Sequence, residues 1–234
     1  MKRKTATIAL ILLLAMVFGA VSAFADTNVE VICAKQYGAK SERFNADIQV
    51  PAIKGLVNEE LENALNSQYL SEGKRFFKEF KQQARQMKKG EGFLGAYSGF
   101  FLQTKTDSLL SLGRYFLWVQ ASGAESRKYD TIDLEKGIWI TLPSLFVDES
   151  YLDVISDNIR EQMQERMDAD EGVIYWIDEF EGISENQQFY ITKEGKLVIS
   201  FDEYAVAPGY MGVVEFTIPT EVIQDILVSN EYVK

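Results

Sequence analysis

Apolar and polar positions alternate along much of the chain, and each change of period marks a change of element. Two-residue alternation predicts strands over residues 29–33 and 44–50. Pro51 is expected to end the second strand, because proline has no amide to give a sheet ladder, and Gly55 adds a turn. From Asn58 the period becomes helical, with Leu61, Leu65, Tyr69, Phe76, Phe80, Ala84 and Met87 on one face. Asn58 is a favoured N-cap, and Glu59 and Glu60 follow where the helix dipole attracts negative charge. Gly73 predicts a break into two helices and Gly90 a stop. Strands are expected over 97–104 and 109–120, turning at Asp107-Ser108, then over 129–134 and 138–142. A second helix, capped by Asp148 or Ser150, turns Leu152, Ile155, Ile159, Met163 and Met167 inward. A hairpin over 189–192 and 197–201 turns at Gly195, a last strand covers 213–218, and Pro219 opens a closing helix. None of the four prolines sits in a Pro/Ser-rich linker. The pattern therefore predicts an α+β fold of mainly antiparallel sheets covered by helices, in two intimately packed halves.

The N-terminus departs from this pattern. Lys2, Arg3 and Lys4 precede an unbroken apolar run over residues 8–18, and Ala23-Phe24-Ala25 fits a small-x-small cleavage site. The run is shorter than the roughly 20 residues of a bilayer span. Residues 1–25 are read as an export signal, with an uncleaved membrane anchor as the other reading. Domains are then expected over 26–125 and 126–234, in a secreted, extracellular or cell-wall-associated protein. A lipid-modified cysteine is disfavoured because Val31-Ile32 before Cys33 lacks small residues. As the only cysteine, Cys33 cannot form an internal disulfide, and a buried thiol is expected.

Composition narrows the chemistry. The chain carries a net charge of −11, and residues 1–25 hold three cations and no acid, leaving −14 for the remainder. Such acidity repels nucleic acid and anionic lipid and favours a cationic partner. There is no histidine, which excludes Ser-His-Asp and Cys-His catalysis and histidine metal sites. No phosphate-cradling or dinucleotide-binding glycine motif occurs, and no cofactor or metal is expected. Carboxylates remain: Asp178, Glu179, Glu181, Asp202 and Glu203, near Trp176 and Tyr204, are the candidates for a glycan hydrolase. A solvated acidic surface is the commoner meaning of such residues. Asp168, Asp170 and Glu179 fall at positions one, three and twelve of a calcium-loop spacing, but Gly172 stands at five where the turn needs it at six. A basic helix face, Lys74, Arg75, Lys78, Lys81, Arg85, Lys88 and Lys89, reads as solvated rather than as a grip on anionic wall polymer. Trp118, Trp139 and Trp176 are expected in the core.

Several motifs resemble a known family. They are Asp133-Leu134, Gly137, Ile140, Leu142 and Leu145-Phe146, then residues 188–192, Gly195, Leu197 and Phe201. The most specific is Tyr204-Ala205-Val206-Ala207-Pro208-Gly209-Tyr210 with Gly212, followed by Phe216-Thr217-Ile218-Pro219. This second half resembles the bacterial extracellular domain of unknown function 3298, found in ectodomains of lysozyme-sensing anti-sigma factors and beside peptidoglycan deacetylases. The first half, through Val50-Pro51, Ile53, Gly55-Leu56, Asn58, Leu61-Glu62 and Leu65-Asn66, resembles the companion domain 4163. Together the two resemblances cover nearly all of residues 26–234. Family members often carry Gly-Gly-Ala-His where this chain has Ser122-Gly123-Ala124-Glu125, so any role of that histidine is absent. Only Met1 to Ala6 precede the apolar stretch and nothing follows Lys234, so the sigma-binding and deacetylase roles are not expected here. The resemblance implies an exported, non-catalytic module that binds a cell-envelope protein such as a cationic lysozyme, or peptidoglycan. A carboxylate-dependent glycan hydrolase and a structural envelope protein are the alternatives. Glu203, Tyr204, Pro208 and Tyr210 are the expected binding residues, and the aromatics of that stretch are expected to pack mainly inward.

Overall fold

The computed structural model describes residues 29–88, 90 and 92–234, so the expected leader and Lys89 lie outside the described residues. The first sheet has six strands in sequence order: β1 (Glu30–Lys40), β2 (Phe44–Lys54), β3 (Leu94–Lys105), β4 (Leu109–Val119), β5 (Gly123–Asp133) and β6 (Ile138–Ile140). Neighbours pair antiparallel except β2 and β3, which run parallel because the long helix α1 (Glu59–Gln86) carries the chain back between them. A second, antiparallel sheet is formed by β7 (Gln188–Ile191), β8 (Leu197–Phe201) and β9 (Val214–Ile218). Helix α2 (Tyr151–Ala169) covers it, and a short α3 (Thr220–Ile223) follows Pro219. The architecture is α+β, as expected. The boundary expected between residues 125 and 126 falls inside β5, and the chain leaves the first sheet only after Ile140.

Two cores and a seam hold these layers. Leu65, Tyr69, Phe76 and Phe80 of α1 pack on Ile48, Val50, Leu94, Leu110, Leu112 and Ile132 of the first sheet. Tyr151, Ile155, Ile159 and Met163 of α2 pack on Ile191, Leu197, Ile199, Phe216 and Ile218 of the second. Strand alternation makes the seam: Phe189, Ile191, Leu197 and Ile199 face the α2 core, whereas Tyr190 and Val198 point the other way and meet Tyr129 and Phe101. Each large apolar side chain so buried contributes about 1.5–3 kcal/mol.

Several local expectations are corrected. Gly73 does not break α1; it lets the helix pass directly over Val50, whose Cγ2 would clash with a Cβ at that position. Pro51 does not end β2. Parallel pairing with β3 stops at Ile48, so this stretch is paired on one side only, and β1 carries a bulge between Cys33 and Lys35 opposite it. Cys33 is exposed, because β1 is an edge strand with mostly exposed side chains. None of the three tryptophans is buried, and Trp139 on the short edge strand β6 is 46 % exposed. Asn58 caps α1 as expected, its side chain accepting from the Leu61 amide. Gly195 turns the β7–β8 hairpin with φ of 77°.

An ion network fastens α1 to the sheet. Arg114 of β4 is 3 % exposed and bonds both Glu72 of α1 and, at 2.9 Å, Asp130 of β5. Lys128 bonds the second oxygen of Glu72 at 2.8 Å. Burial acts to raise the Glu72 carboxyl, but Arg114 and Lys128 overcome it and hold its pKa below the usual range. Arg114→Met strands Asp130 as a buried charge. It is expected to cost about 3–5 kcal/mol in urea unfolding, and a cost under about 1 kcal/mol would mean that the network is solvent-screened.

Candidate binding site

Strand β5 pairs with β4 along its whole length but with β6 only over residues 131–133, which leaves its first eight residues with an open outer edge. Amides on that edge recur at every second residue, and the second half supplies their acceptors from side chains. The Glu125 amide donates to Glu203 Oε2 at 2.9 Å, the Arg127 amide to Asp202 Oδ1 at 2.8 Å, and the Tyr129 amide to Gln188 Oε1 at 2.9 Å. The Glu203 amide returns a bond to the Glu125 carbonyl at 3.0 Å. The turn after β8 is thus latched onto β5.

Beside the latch lies a cavity of about 320 Å³, walled by Glu72, Arg75, Phe76 and Glu79 of α1, Phe116 and Trp118 of β4, Glu125, Ser126 and Lys128 of β5, and Asp202 and Glu203. Phe76 sits edge-on to both Phe116 and Trp118, with centroids 5.4 and 5.0 Å apart, making an aromatic floor. Burial pushes the Asp202 carboxyl above its usual pKa. The Arg127 amide and Lys128 act against the shift, and Glu125 adds to it.

From the latch the chain rises into a knuckle over residues 204–210. Tyr204 has φ of 68°, a left-handed conformation rare for an aromatic residue, and its ring covers Gly209 so closely that a Cβ there would clash. The Val206 carbonyl accepts from the Trp176 amide at 2.9 Å, and Val206 and Ala207 are buried, which pins the loop. Tyr204 and Tyr210, 44 % and 66 % exposed, point outward, contrary to the expected inward packing. The small residues between them take the interior positions. Tyr210 donates its hydroxyl to the Gly172 carbonyl at 3.0 Å, at the turn that carries exposed Asp170 and Glu171.

The four expected binding residues therefore divide. Glu203 lines the cavity and caps β5, whereas Tyr204, Pro208 and Tyr210 belong to the knuckle. Of the hydrolase candidates only Asp202 and Glu203 reach the cavity. Asp178 and Glu179 lie on a separate 3-10 turn with Glu181 just beyond it, and the tryptophan at the cavity is Trp118 rather than Trp176. Asp168 accepts from Gln164 and Asp170 from the Gly172 amide, and no cluster of three potential metal ligands forms among the described residues. Lys74, Lys78, Lys81 and Arg85 are exposed along α1, and Arg75 lies at the cavity. Sequence reasoning missed the convergence of Glu72, Trp118, Glu125 and Lys128, which no local pattern signals.

Residues 143–221 match the domain described as a protein of unknown function, DUF3298. Two solved structures of that family share the fold. One, from Bacteroides fragilis, has a TM-score of 0.62 at 17% identity, covering 88% of this chain and 96% of that one. The other, from Pseudomonas aeruginosa, has a TM-score of 0.61 at 16% identity, with the same coverage. The chain is also 47% identical over 200 residues to the anti-sigma-V factor RsiV of Bacillus subtilis, covering 83% of this chain and 70% of that protein. The chain belongs to the family of that anti-sigma factor, with a DUF3298 domain in its second half.

The raised Asp202 pKa means that its charged form is disfavoured in the folded state, a penalty present at neutral pH and relieved as pH falls through the folded pKa. Asp202→Asn keeps an acceptor for the Arg127 amide. It is expected to raise Tm at pH 7.5, with the gain vanishing near pH ~4, below which the unfolded carboxyl is also protonated. Thermal unfolding at the two pH values checks this, and a lower Tm at pH 7.5 would show that the charge itself stabilises the latch.

Proposed function

We propose that this chain is an extracytoplasmic, non-catalytic sensing module whose ligand is a cationic cell-envelope protein such as lysozyme, with peptidoglycan as the alternative. Residues 1–25 are read as its export signal, and the first half as the companion domain 4163. The reading is supported by kinship to an anti-sigma factor and by the net charge of −11. The observation that carries it is the knuckle: Tyr204, Pro208 and Tyr210 are presented on a loop whose backbone is pinned from below. Exposed rigid aromatics lose little entropy on binding and commonly dominate interface energy. Acidic residues beside the knuckle favour a cationic surface and accelerate its approach.

Glycan hydrolysis finds one point of support, the raised carboxyl of Asp202 next to Glu203 in a cavity. Against it, each of these carboxyls spends an oxygen on a β5 amide, which gives both a structural reason to be there.

Titration of the protein with lysozyme tests the proposal. Pro208→Ala and Tyr210→Ala are each expected to weaken binding about tenfold or more, equal to about 1.4 kcal/mol, with folding unchanged. Affinity is expected to fall steeply between 50 mM and 300 mM salt, on the order of the Debye screening expected for surface charge. Unchanged affinity in both variants would remove the knuckle from the interface, and salt-indifferent binding would remove the electrostatic component. Turnover of peptidoglycan, lost in Asp202→Asn, would establish the hydrolase instead.

A further inference from the structure

The cavity beside the latch has a composition that the knuckle does not explain. Its floor is aromatic, from Phe76, Phe116 and Trp118, and its rim carries five carboxylates against two cations, Arg75 and Lys128. Three of those carboxylates have cationic partners. Glu72 bonds Arg114 and Lys128, Glu79 lies 3.9 Å from Arg75, and Glu125 bonds Arg127 at 2.7 Å. Asp202 and Glu203 have no cationic side chain within ion-pair distance among the described residues; each uses one oxygen on a single backbone amide. The imbalance thus rests on two adjacent residues that share the cavity with an apolar floor.

We propose that this cavity is a second binding site, separate from the 204–210 knuckle, that takes the side chain of a lysine presented by a polypeptide. The four-carbon stem lies on the aromatic floor, and the ammonium reaches the carboxylates of Asp202 and Glu203. A long alkyl chain ending in a compact cation matches both halves of the lining, since lysine stems pack on apolar surface while the head keeps polar partners. The face of an indole attracts a cation more strongly than other rings do, which favours occupancy above Trp118. Asp202 is exposed at the rim, yet partial desolvation still raises its carboxyl against the pull of Lys128, so a cation brought closer is favoured. An anion is disfavoured by the charge balance, and a neutral apolar ligand leaves both carboxylates unpaired.

The test uses the whole protein and two small probes, Nα-acetyl-lysine N-methylamide and its norleucine counterpart, which has the same stem without the ammonium. Binding is followed by the indole NMR signal of Trp118, assigned through Trp118→Phe. The lysine probe is expected to shift that signal saturably and to bind at least tenfold more tightly than the norleucine probe. Asp202→Asn combined with Glu203→Gln is expected to weaken the lysine probe about tenfold or more, and to abolish the preference over norleucine. Equal binding of the two probes, no saturable shift with lysine, or unchanged affinity in the double variant overturns the proposal. Should the double variant not fold, the lysine–norleucine comparison on the unaltered protein decides alone. Lysozyme binding through the knuckle is a separate measurement, so either reading can fail without the other.

Discussion

An open sheet edge cannot be left bare inside a folded protein, and the outer edge of β5 is where this fold meets that constraint. Three amides, of Glu125, Arg127 and Tyr129, point away from β4 with no strand beside them. A further strand would have extended the sheet. Instead Glu203, Asp202 and Gln188 each place one side-chain oxygen on one amide. Unpaired amides of this kind cost free energy when buried and invite intermolecular pairing when exposed. Capping them from the second half joins the two halves by hydrogen bonds that neither could make alone. The Tyr129–Tyr190 contact and the hydroxyls of both rings on Glu215 extend the same seam inward.

The other face of the first sheet is held as firmly, by different means. Arg114 of β4, opposite Lys128, reaches diagonally to Asp130 of β5, and Glu72 comes down from α1 to meet Arg114. Charges so far from water favour one docking geometry for the helix, because any slip separates them at high cost. The two fixings converge on the cavity. Lys128 binds Glu72 on one side of it, and the chain of Arg127 and Glu125 binds Asp202 and Glu203 on the other. The cavity walls are therefore preorganised: α1, the sheet and the turn are each anchored within a residue or two of the lining.

Local chemistry was legible in the sequence and distant geometry was not. The Asn58 cap, the helical stripe of α1, the Gly195 turn and the hairpin pairing of β7 and β8 all depend on neighbours a few residues away. Each was predicted correctly. Gly73 was misjudged because its reason is Val50, a partner 23 positions earlier on a strand beneath the helix. Pro51 was misjudged because its meaning depends on where β3 stops pairing. The tryptophans and Cys33 followed burial averages, whereas edge position on β1 and β6 decided the exposure of Cys33 and Trp139. The knuckle residues were identified by motif, yet their outward direction followed from the small Val206 and Ala207 taking the interior positions. The cavity had no linear signature, since its lining comes from α1, β4, β5 and the turn after β8.

The acids show how structural and functional roles divide within one turn. Residues in a catalytic pair must be free to exchange a proton and to follow the reacting atoms. Asp202 and Glu203 are held by the edge they cap, and moving either one uncovers a sheet amide. A carboxylate in that position works best as a fixed charge, and a fixed charge beside an aromatic floor favours a partner that arrives already cationic. The same latch sets the start of the knuckle, so Tyr204 and Tyr210 inherit their position from it. The residues that close the β5 edge thus also set the shape and charge of the cavity rim and of the start of the knuckle.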